Sequence, residues 1–202
     1  MDKNVTVLLG VLAVILIIAI GAGLAGAGIY NSLVGKDVDV ENKWAKVQSA
    51  YQRRADLIPN LVETVKGARD FEAQTQTKIA ELRSQAGSAQ QEVTNAKSVD
   101  DLQNANAEMS SVISRLLVIV EAYPDLKANQ NFLSLQDELA GTENRIKFER
   151  DNYNDAVQSY ETSVRTFPGS IVAGMTGFSA DKWKMFAAEQ GTENPPVVDF
   201  KN

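Results

Sequence analysis

The feature that most constrains this chain is an apolar run of 25 residues near its N-terminus, residues 5–29, which contains no charged side chain. The hydrocarbon core of a bilayer is roughly 30 Å thick and needs about 20 apolar helical residues to cross it, so the run can span a membrane with some tilt. The sequence after Tyr30 is too polar to follow it into lipid. We therefore predict a transmembrane anchor over residues 1–30 and one water-exposed domain over residues 31–200.

Two details of the anchor have alternative interpretations. Ala25-Gly26-Ala27 resembles a signal-peptide cleavage site, but the apolar run is longer than the roughly 7–15 residues of a signal peptide, which favours a retained helix. Gly21, Ala25 and Gly28 share one helix face and would allow close contact between neighbouring spans, although small residues also suit a flexible exit from the membrane. The flanking charges do not determine the orientation.

The composition of the chain excludes several classes of function. The net charge of −6 and the absence of a Lys/Arg cluster argue against a nucleic-acid partner. The chain has no cysteine and no histidine, which removes thiol nucleophiles, disulfides, most transition-metal sites and the usual general base. No G-x-S-x-G and no phosphate-binding glycine loop occurs either. We therefore predict no catalytic residue, no cofactor and no metal site.

The domain begins with apolar residues at alternating spacings of four and three, from Val40 to Ala86. This spacing keeps one seam on one helix face, as in a coiled coil, and predicts a single helix over residues 40–86 that follows a connector at residues 30–35. Pro59 should kink this helix, Gly67 need not end it, and Gly87-Ser88 should stop it.

The remainder of the domain also has helical periodicity. Ser98 and Asp101 have the spacing of a capping box, and the helix that they begin should break at Pro124. A third helix follows from about Asp125 to the Phe167-Pro168 pair. We predict a glycine-rich apolar loop at residues 171–178, a short amphipathic helix at 180–190 and an extended tail. The fold class is thus all-α, an antiparallel bundle of long helices with a short C-terminal helix.

A set of short motifs is spread over nearly the whole domain, from Tyr30 to Phe200. The most specific is YQRRADLIPNLV at residues 51–62, and others are YPDLKA at 123–128, TENRI at 142–146, RDNYN at 150–154 and PPVVDF at 195–200. This combination resembles the LemA family. The resemblance implies a bacterial membrane-associated helical bundle with an N-terminal anchor, and it implies no particular biochemical activity.

One position departs from relatives in that family that are lipoproteins. They carry a lipid-modified cysteine just before the Tyr-Asn pair that is Tyr30-Asn31 here, whereas this chain has Gly28-Ile29. The anchor helix must therefore hold the domain without a lipid. By analogy with those lipoproteins, we expect a single-pass protein of the inner membrane with its domain outside the cytoplasm.

Arg54 is the sharpest irregularity, because it places a guanidinium on an otherwise apolar seam. It could receive an anion or a carboxylate of a partner protein, but we favour an internal ion pair with Glu149 of the third helix. Asp151 and Asp155 bracket a run that superficially resembles a calcium loop. That run lacks the glycine and the terminal glutamate, so we interpret it as a solvated helix face.

The predicted functional features are surfaces rather than catalytic groups. Two apolar segments could contact a partner protein or could instead cap the ends of the bundle, and they comprise Ile171, Val172, Met175, Phe178, Pro195, Pro196, Val197 and Phe200. We expect a non-enzymatic, membrane-anchored scaffold that binds an unidentified envelope protein and forms homo-oligomers through the anchor or the long seam. The alternative is a ligand- or peptide-binding sensor with a groove between its helices.

Overall fold

The computed structural model describes residues 3–67 and 71–187, and within these ranges the regular structure is entirely helical. The first helix, α1, extends from Lys3 to Lys66, and its 64 residues correspond to roughly 95 Å at the α-helical rise. The predicted all-α class is confirmed. Pro59 lies inside α1, which continues past it.

The connector predicted at residues 30–35 is wrong, because α1 passes through this segment without interruption. Leu33, Val40 and Val47 all face the core and are at most 1% exposed. A glycine such as Gly35 costs a helix only about 1 kcal/mol, which the burial of these side chains outweighs. The apolar span and the core of the domain therefore share one continuous helix.

The single helix predicted over residues 40–86 is divided in two in the structure. Helix α1 ends at Lys66, and α2 extends from Ala73 to Asn95 and packs beside it. The apolar spacing continues through the break because the seams of both helices face the same core. Ala86, Ala89 and Val93 are buried on α2, so Gly87-Ser88 does not end the helix as predicted.

The next boundaries follow the local sequence signals. Helix α3 spans Val99–Glu121 and starts at a capping box in which Ser98 and Asp101 exchange hydrogen bonds, as predicted. The predicted break at Pro124 is also present, since this residue begins the short helix α4, Pro124–Lys127. Helix α5 then spans Gln130–Arg165 and packs along α1.

The core lies between α1 and the helices α2, α3 and α5. The seam residues of α1 are nearly inaccessible to solvent, namely Val40, Val47, Tyr51, Ile58, Leu61 and Val65. Other helices of the same chain therefore cover the long seam. The prediction that copies associate through the long seam assumed that part of the seam is uncovered, and the burial of these residues removes that support.

The C-terminal elements differ from the prediction. The apolar loop predicted at 171–178 is largely a helix, α6, which spans Gly169–Thr176 and ends at Gly177 with a positive φ of 84°. The helix predicted at 180–190 is wrong for its described part, which has only a 3₁₀ turn at Ala180–Lys182. Residues 184–187 have no regular secondary structure. Their backbone carbonyls accept hydrogen bonds from side chains of α5 instead of from the backbone of a helix.

Candidate functional site

The small-residue face of the anchor is open. Gly21, Ala25 and Gly28 are exposed, and a Cβ added at either glycine would meet no atom within 4 Å. Ile29 is partly covered by the domain, and Leu33 is buried. The small-residue face is thus available for contact, while another side of α1 is occupied by the domain. By length and composition, α1 is the one helix among the described residues that could cross a membrane.

The predicted partner surface lies on α6 and just after it. Gly169 and Ala173 form the buried side of α6, whereas Ile171 and Met175 are 56% and 82% exposed. Val172 is partly buried against the core. One side of the helix therefore fixes it to the bundle, and the other presents two large apolar side chains to the surroundings.

Phe178 is directed towards the fold rather than away from it. Its ring contacts Tyr30 at the end of the apolar span, with ring centroids 5.9 Å apart, and Tyr160 of α5 at 6.5 Å. The Tyr160 hydroxyl donates to the Ser179 carbonyl oxygen at 3.1 Å. Burial, and secondarily the negative charge of Asp37, raise the pKa of Tyr160. These contacts place α6 beside the segment where α1 leaves the apolar run.

The chain after α6 returns along the bundle as a segment that we call the strap, residues 178–187. Asp37 of α1 accepts hydrogen bonds from Lys182 Nζ at 2.6 Å and from Trp183 Nε1 at 2.8 Å. Asn154 of α5 binds the backbone of Phe186 on both sides, donating to its carbonyl and accepting from its N–H. The strap therefore holds α1 and α5 together.

Phe186 fills an aromatic cluster between α1 and α5. Its ring lies 5.5 Å from Tyr153, 6.3 Å from Trp44 and 6.5 Å from Tyr51. The Tyr153 hydroxyl donates to the Lys184 carbonyl oxygen at 3.1 Å, and burial raises the pKa of Tyr153 to about 12. Sequence reasoning missed this cluster, although Trp44 and Tyr51 lie on the apolar seam and Tyr153 lies in a segment that matches the family motifs.

Arg54 lies in a polar contact in the middle of the bundle. Its side chain is 8% exposed and pairs with Glu143 of α5, whose side chain is 48% exposed. Arg54 also donates to Asn106 Oδ1 at 2.8 Å and to Ser110 Oγ at 3.2 Å, both on α3. The guanidinium thus connects three helices.

The predicted partner of Arg54 is wrong, because Glu149 instead accepts from Arg145 at 2.6 Å on its own helix. The antiparallel register explains the difference. Trp44 contacts Tyr153, so a residue ten positions later on α1 meets a residue ten positions earlier on α5, which is Glu143.

A surface groove of about 450 Å³ lies beside this contact, between α1 and α5. It is lined by charged residues and by residues with small side chains: Lys46, Ser49, Ala50, Arg53, Glu138, Gly141, Thr142, Arg145 and Glu149. Arg53 and Glu138 face each other across it at 3.4 Å. The groove could accept a polar or zwitterionic group.

Two further predictions concern an acidic run within α5 and the C-terminal apolar segment. Asp151 and Asp155 are exposed on α5, as expected for a solvated helix face. The described residues contain no group of three acidic side chains that could hold a metal ion. Pro195, Pro196, Val197 and Phe200 lie outside the described residues, so their prediction as a partner surface stays a prediction.

The relatives of this chain share its domain. It is 26% identical over 146 residues to protein LemA of Metamycoplasma hominis, which covers 72% of this chain and 64% of that protein, less than two thirds of its length. It is 24% identical over 188 residues to magnetosome protein MamQ 2 of Paramagnetospirillum magneticum, covering 84% and 68%. For MamQ of Magnetospirillum gryphiswaldense the identity is 23% over 168 residues, covering 74% and 62%.

The model of the LemA family matches residues 43–200, well over half of the chain. The match begins on α1 after the apolar run and includes α6 and the strap. With the apolar span of α1 in front of it, the chain is a membrane-associated member of the LemA family.

Proposed function

We propose that this protein is a non-enzymatic scaffold or adaptor of the bacterial envelope, which presents its helical bundle to a partner protein at a fixed position relative to the membrane. The observation that supports the proposal is the continuity of α1 from the apolar span into the core. A helix that crosses the bilayer boundary without a linker passes the orientation of the span to the domain. A flexible tether would leave that orientation free.

Two further observations fit a scaffold. Arg54 and Asp37 are engaged in contacts that hold different elements of this chain together, and the buried Glu149 pairs with Arg145 of its own helix. Two relatives are magnetosome proteins by name and another is named protein LemA, and a support for different partners would suit both.

We place the protein in the inner membrane as a single-pass protein with its domain outside the cytoplasm. The support is the analogy with family members anchored by a lipid. Because the chain has no cysteine, a cysteine introduced at the exposed position Val118 offers one labelling site. An impermeant maleimide should label it in intact spheroplasts, and labelling only after lysis would place the domain in the cytoplasm. Intact-mass measurement of the extracted protein should also show a retained anchor.

Self-association through the anchor belongs to this proposal. Replacing Gly21 and Gly28 with leucine would fill the small-residue face without touching the domain, since both positions are open. Light scattering in mild detergent should then give a smaller mass than for the unchanged chain. Gly23→Leu is the matched control, because Gly23 is equally open but faces another direction. Monomers from the unchanged chain would contradict this part of the proposal.

The scaffold role can be tested by crosslinking in living cells. A photo-crosslinking residue at exposed positions of α3 and α5, such as Val118 and Phe148, should give discrete heteromeric adducts. A flexible glycine-serine insertion after Gly28, ahead of the first residue of this segment that the core covers, should weaken those adducts while the domain still folds. Equal adducts with and without the insertion would contradict fixed presentation, and the absence of any heteromeric adduct would contradict the scaffold role itself.

The second candidate function is a ligand- or peptide-binding sensor. The observation that favours it is the charged groove between α1 and α5, where Lys46 and Arg53 face Glu138. If a ligand binds there, Arg53→Ala should abolish ligand-dependent thermal stabilisation. The exposed Arg83→Ala change, which lies on α2 away from the groove, should leave it unchanged.

A further inference from the structure

The segment around α6 contains no charge over 15 residues, between Arg165 and Asp181. Outside the N-terminal region, this is the longest uncharged stretch of the chain. It has an exposed apolar side made by Phe167, Ile171 and Met175, of which Phe167 is 80% exposed. A water-facing surface rarely combines the absence of charge with three large exposed apolar side chains so close in sequence.

The position of α6 in the fold relates this surface to the anchor. Phe178, just after α6, contacts Tyr30, the first residue after the apolar run. Ala173 of α6 is buried, and α6 packs on α1 where Ile29 and Leu33 are covered. About 20 of the 25 residues in the apolar run suffice to cross a bilayer core, so a span over its first 20 residues puts its last turn at the membrane boundary. Helix α6 therefore lies beside that boundary.

The first charged residues of α1, of the strap and of the C-terminal end of α5 lie close to one another near this boundary. Lys36 is the first charged residue after the apolar run, and it donates to Ser159 Oγ of α5 at 2.7 Å. The ends of the uncharged stretch meet where Arg165 lies 3.5 Å from Asp181. The next residue, Lys182, pairs with Asp37 of α1. Charged side chains thus begin together across the bundle, and only uncharged residues lie between them and the span.

We infer that α6 is a second membrane contact, in which Phe167, Ile171 and Met175 insert into the interfacial region of the same bilayer that α1 spans. The occupant of this apolar surface is lipid, because the surface is continuous with the span through Tyr30 and Phe178. The cationic groups of Lys36 and Arg165 lie at its edge, where long basic side chains can reach lipid phosphates.

The shortness of α6 is compatible with this contact. An isolated helix of eight residues would bind a membrane weakly, because little apolar area is buried against the cost of association. Here the span has already brought α6 to the surface, so the contact forms within one molecule at a high effective concentration. Since α6 lies on one side of α1, its insertion would also set the direction in which the span tilts.

The experiment uses the full chain in lipid nanodiscs with one copy per disc. The chain has no cysteine, so Met175→Cys accepts a single environment-sensitive fluorophore at an 82% exposed position. We expect blue-shifted emission, quenching by brominated lipids and severalfold weaker quenching by aqueous iodide than at the control position. That control is Val118→Cys, which is 68% exposed on α3 near the opposite end of the bundle.

A probe at Ile15→Cys, within the span, verifies insertion through quenching by deeply brominated lipids. Equal iodide quenching at positions 175 and 118 in single-copy discs would overturn the inference, and so would an Ile15 probe that lipid does not quench. Shielding of position 175 only in discs with two copies would assign the surface to a second copy of this chain. Shielding only in native membranes would assign it to a partner protein, and either result would exclude the lipid contact.

Discussion

The two ends of the bundle are built alike inside and differ outside. At the end near the anchor, Tyr30 and Phe178 meet edge to face with centroids 5.9 Å apart. At the far end, Phe71 and Tyr123 make the same kind of contact at 4.7 Å. Each pair closes its end of the core with a T-shaped aromatic contact, an arrangement that adds about 1 kcal/mol beyond the area buried.

The surfaces around these pairs have opposite character. At the far end, Glu63 lies between Lys66 at 3.8 Å and Arg83 at 2.9 Å, and Arg115 lies 3.7 Å from Glu81. At the end near the anchor, the uncharged stretch around α6 exposes large apolar side chains. The cores alone would not distinguish the ends, whereas the surface chemistry indicates that one end faces water and the other faces the membrane.

The largest expected effect comes from Gly169→Ala, which should disrupt the packing of α6 at the end near the anchor and leave the far end unchanged. A Cβ at Gly169 would lie 2.0 Å from the Ser163 carbonyl oxygen, so the backbone of α6 would have to move away from α5. We expect a loss of about 3 kcal/mol in the free energy of unfolding, at the upper range for overpacking. Thermal unfolding followed by circular dichroism in detergent measures it. Gly174→Ala is the control, since nothing lies near its Cβ, and equal stability of both variants would show that α6 is not fixed as described.

Arg54→Ala tests the contact that joins α1, α3 and α5 between the two ends. Its loss should cost about 2–3 kcal/mol, because Asn106 and Ser110 lose a charged donor in a largely buried place. The cost should fall short of a fully buried ion pair, since the Glu143 side chain is 48% exposed and can be hydrated.

Arg54→Met should cost less than Arg54→Ala, because it keeps the apolar volume. Arg53→Ala on the neighbouring exposed position should cost less than about 1 kcal/mol. Chemical denaturation of all three variants measures the order. Unchanged stability of Arg54→Ala together with loss of a bound partner would assign Arg54 a binding role instead.

Tyr153→Phe tests how the strap is held against α5 between the two ends. Removing the hydroxyl breaks its hydrogen bond to the Lys184 carbonyl, which should cost about 1 kcal/mol near neutral pH. In the unchanged protein, the folded pKa of about 12 exceeds the usual value of 10, so the unfolded state loses this proton first as the pH rises. Its contribution to stability should therefore fall between pH 10 and 12.

The Tyr153→Phe variant should lack that part of the alkaline loss. The measurement is the difference between the denaturation midpoints of the two proteins from pH 8 to pH 12, in roughly one-unit steps. A constant difference over this range would contradict the burial of the hydroxyl in the folded protein.

The smallest expected effect concerns the water-facing end. Arg83→Ala removes an ion pair with Glu63 whose side chains are both about half exposed, and such pairs contribute about 1 kcal/mol or less. The loss should shrink further at high salt, because exposed charges are screened. Denaturation at low and high salt measures it. A loss in the free energy of unfolding as large as that from Gly169→Ala would contradict this expectation, because half-exposed charges should contribute little to stability.

The sequence by itself determined the features whose causes are local. The uncharged run predicts a span by its length, the Ser98–Asp101 spacing predicts a capping box, and Pro124 predicts a helix break, because each acts within a few residues. The apolar periodicity predicts an all-α class. Arg54 was also recognisable as a polar residue within an apolar seam.

Only the tertiary structure decided which helix faces which, and at what register. The seam keeps its spacing across the break after Lys66, so periodicity cannot distinguish one long helix from two antiparallel ones. The partner of Arg54 follows from the antiparallel register set by Trp44 and Tyr153, which no local spacing encodes. The position of α6 beside Tyr30 likewise depends on a contact between residues that are 148 positions apart in the chain. Such contacts arise when the chain reverses and buries its apolar faces together, and the exposed apolar surface of α6 is positioned beside the span only then.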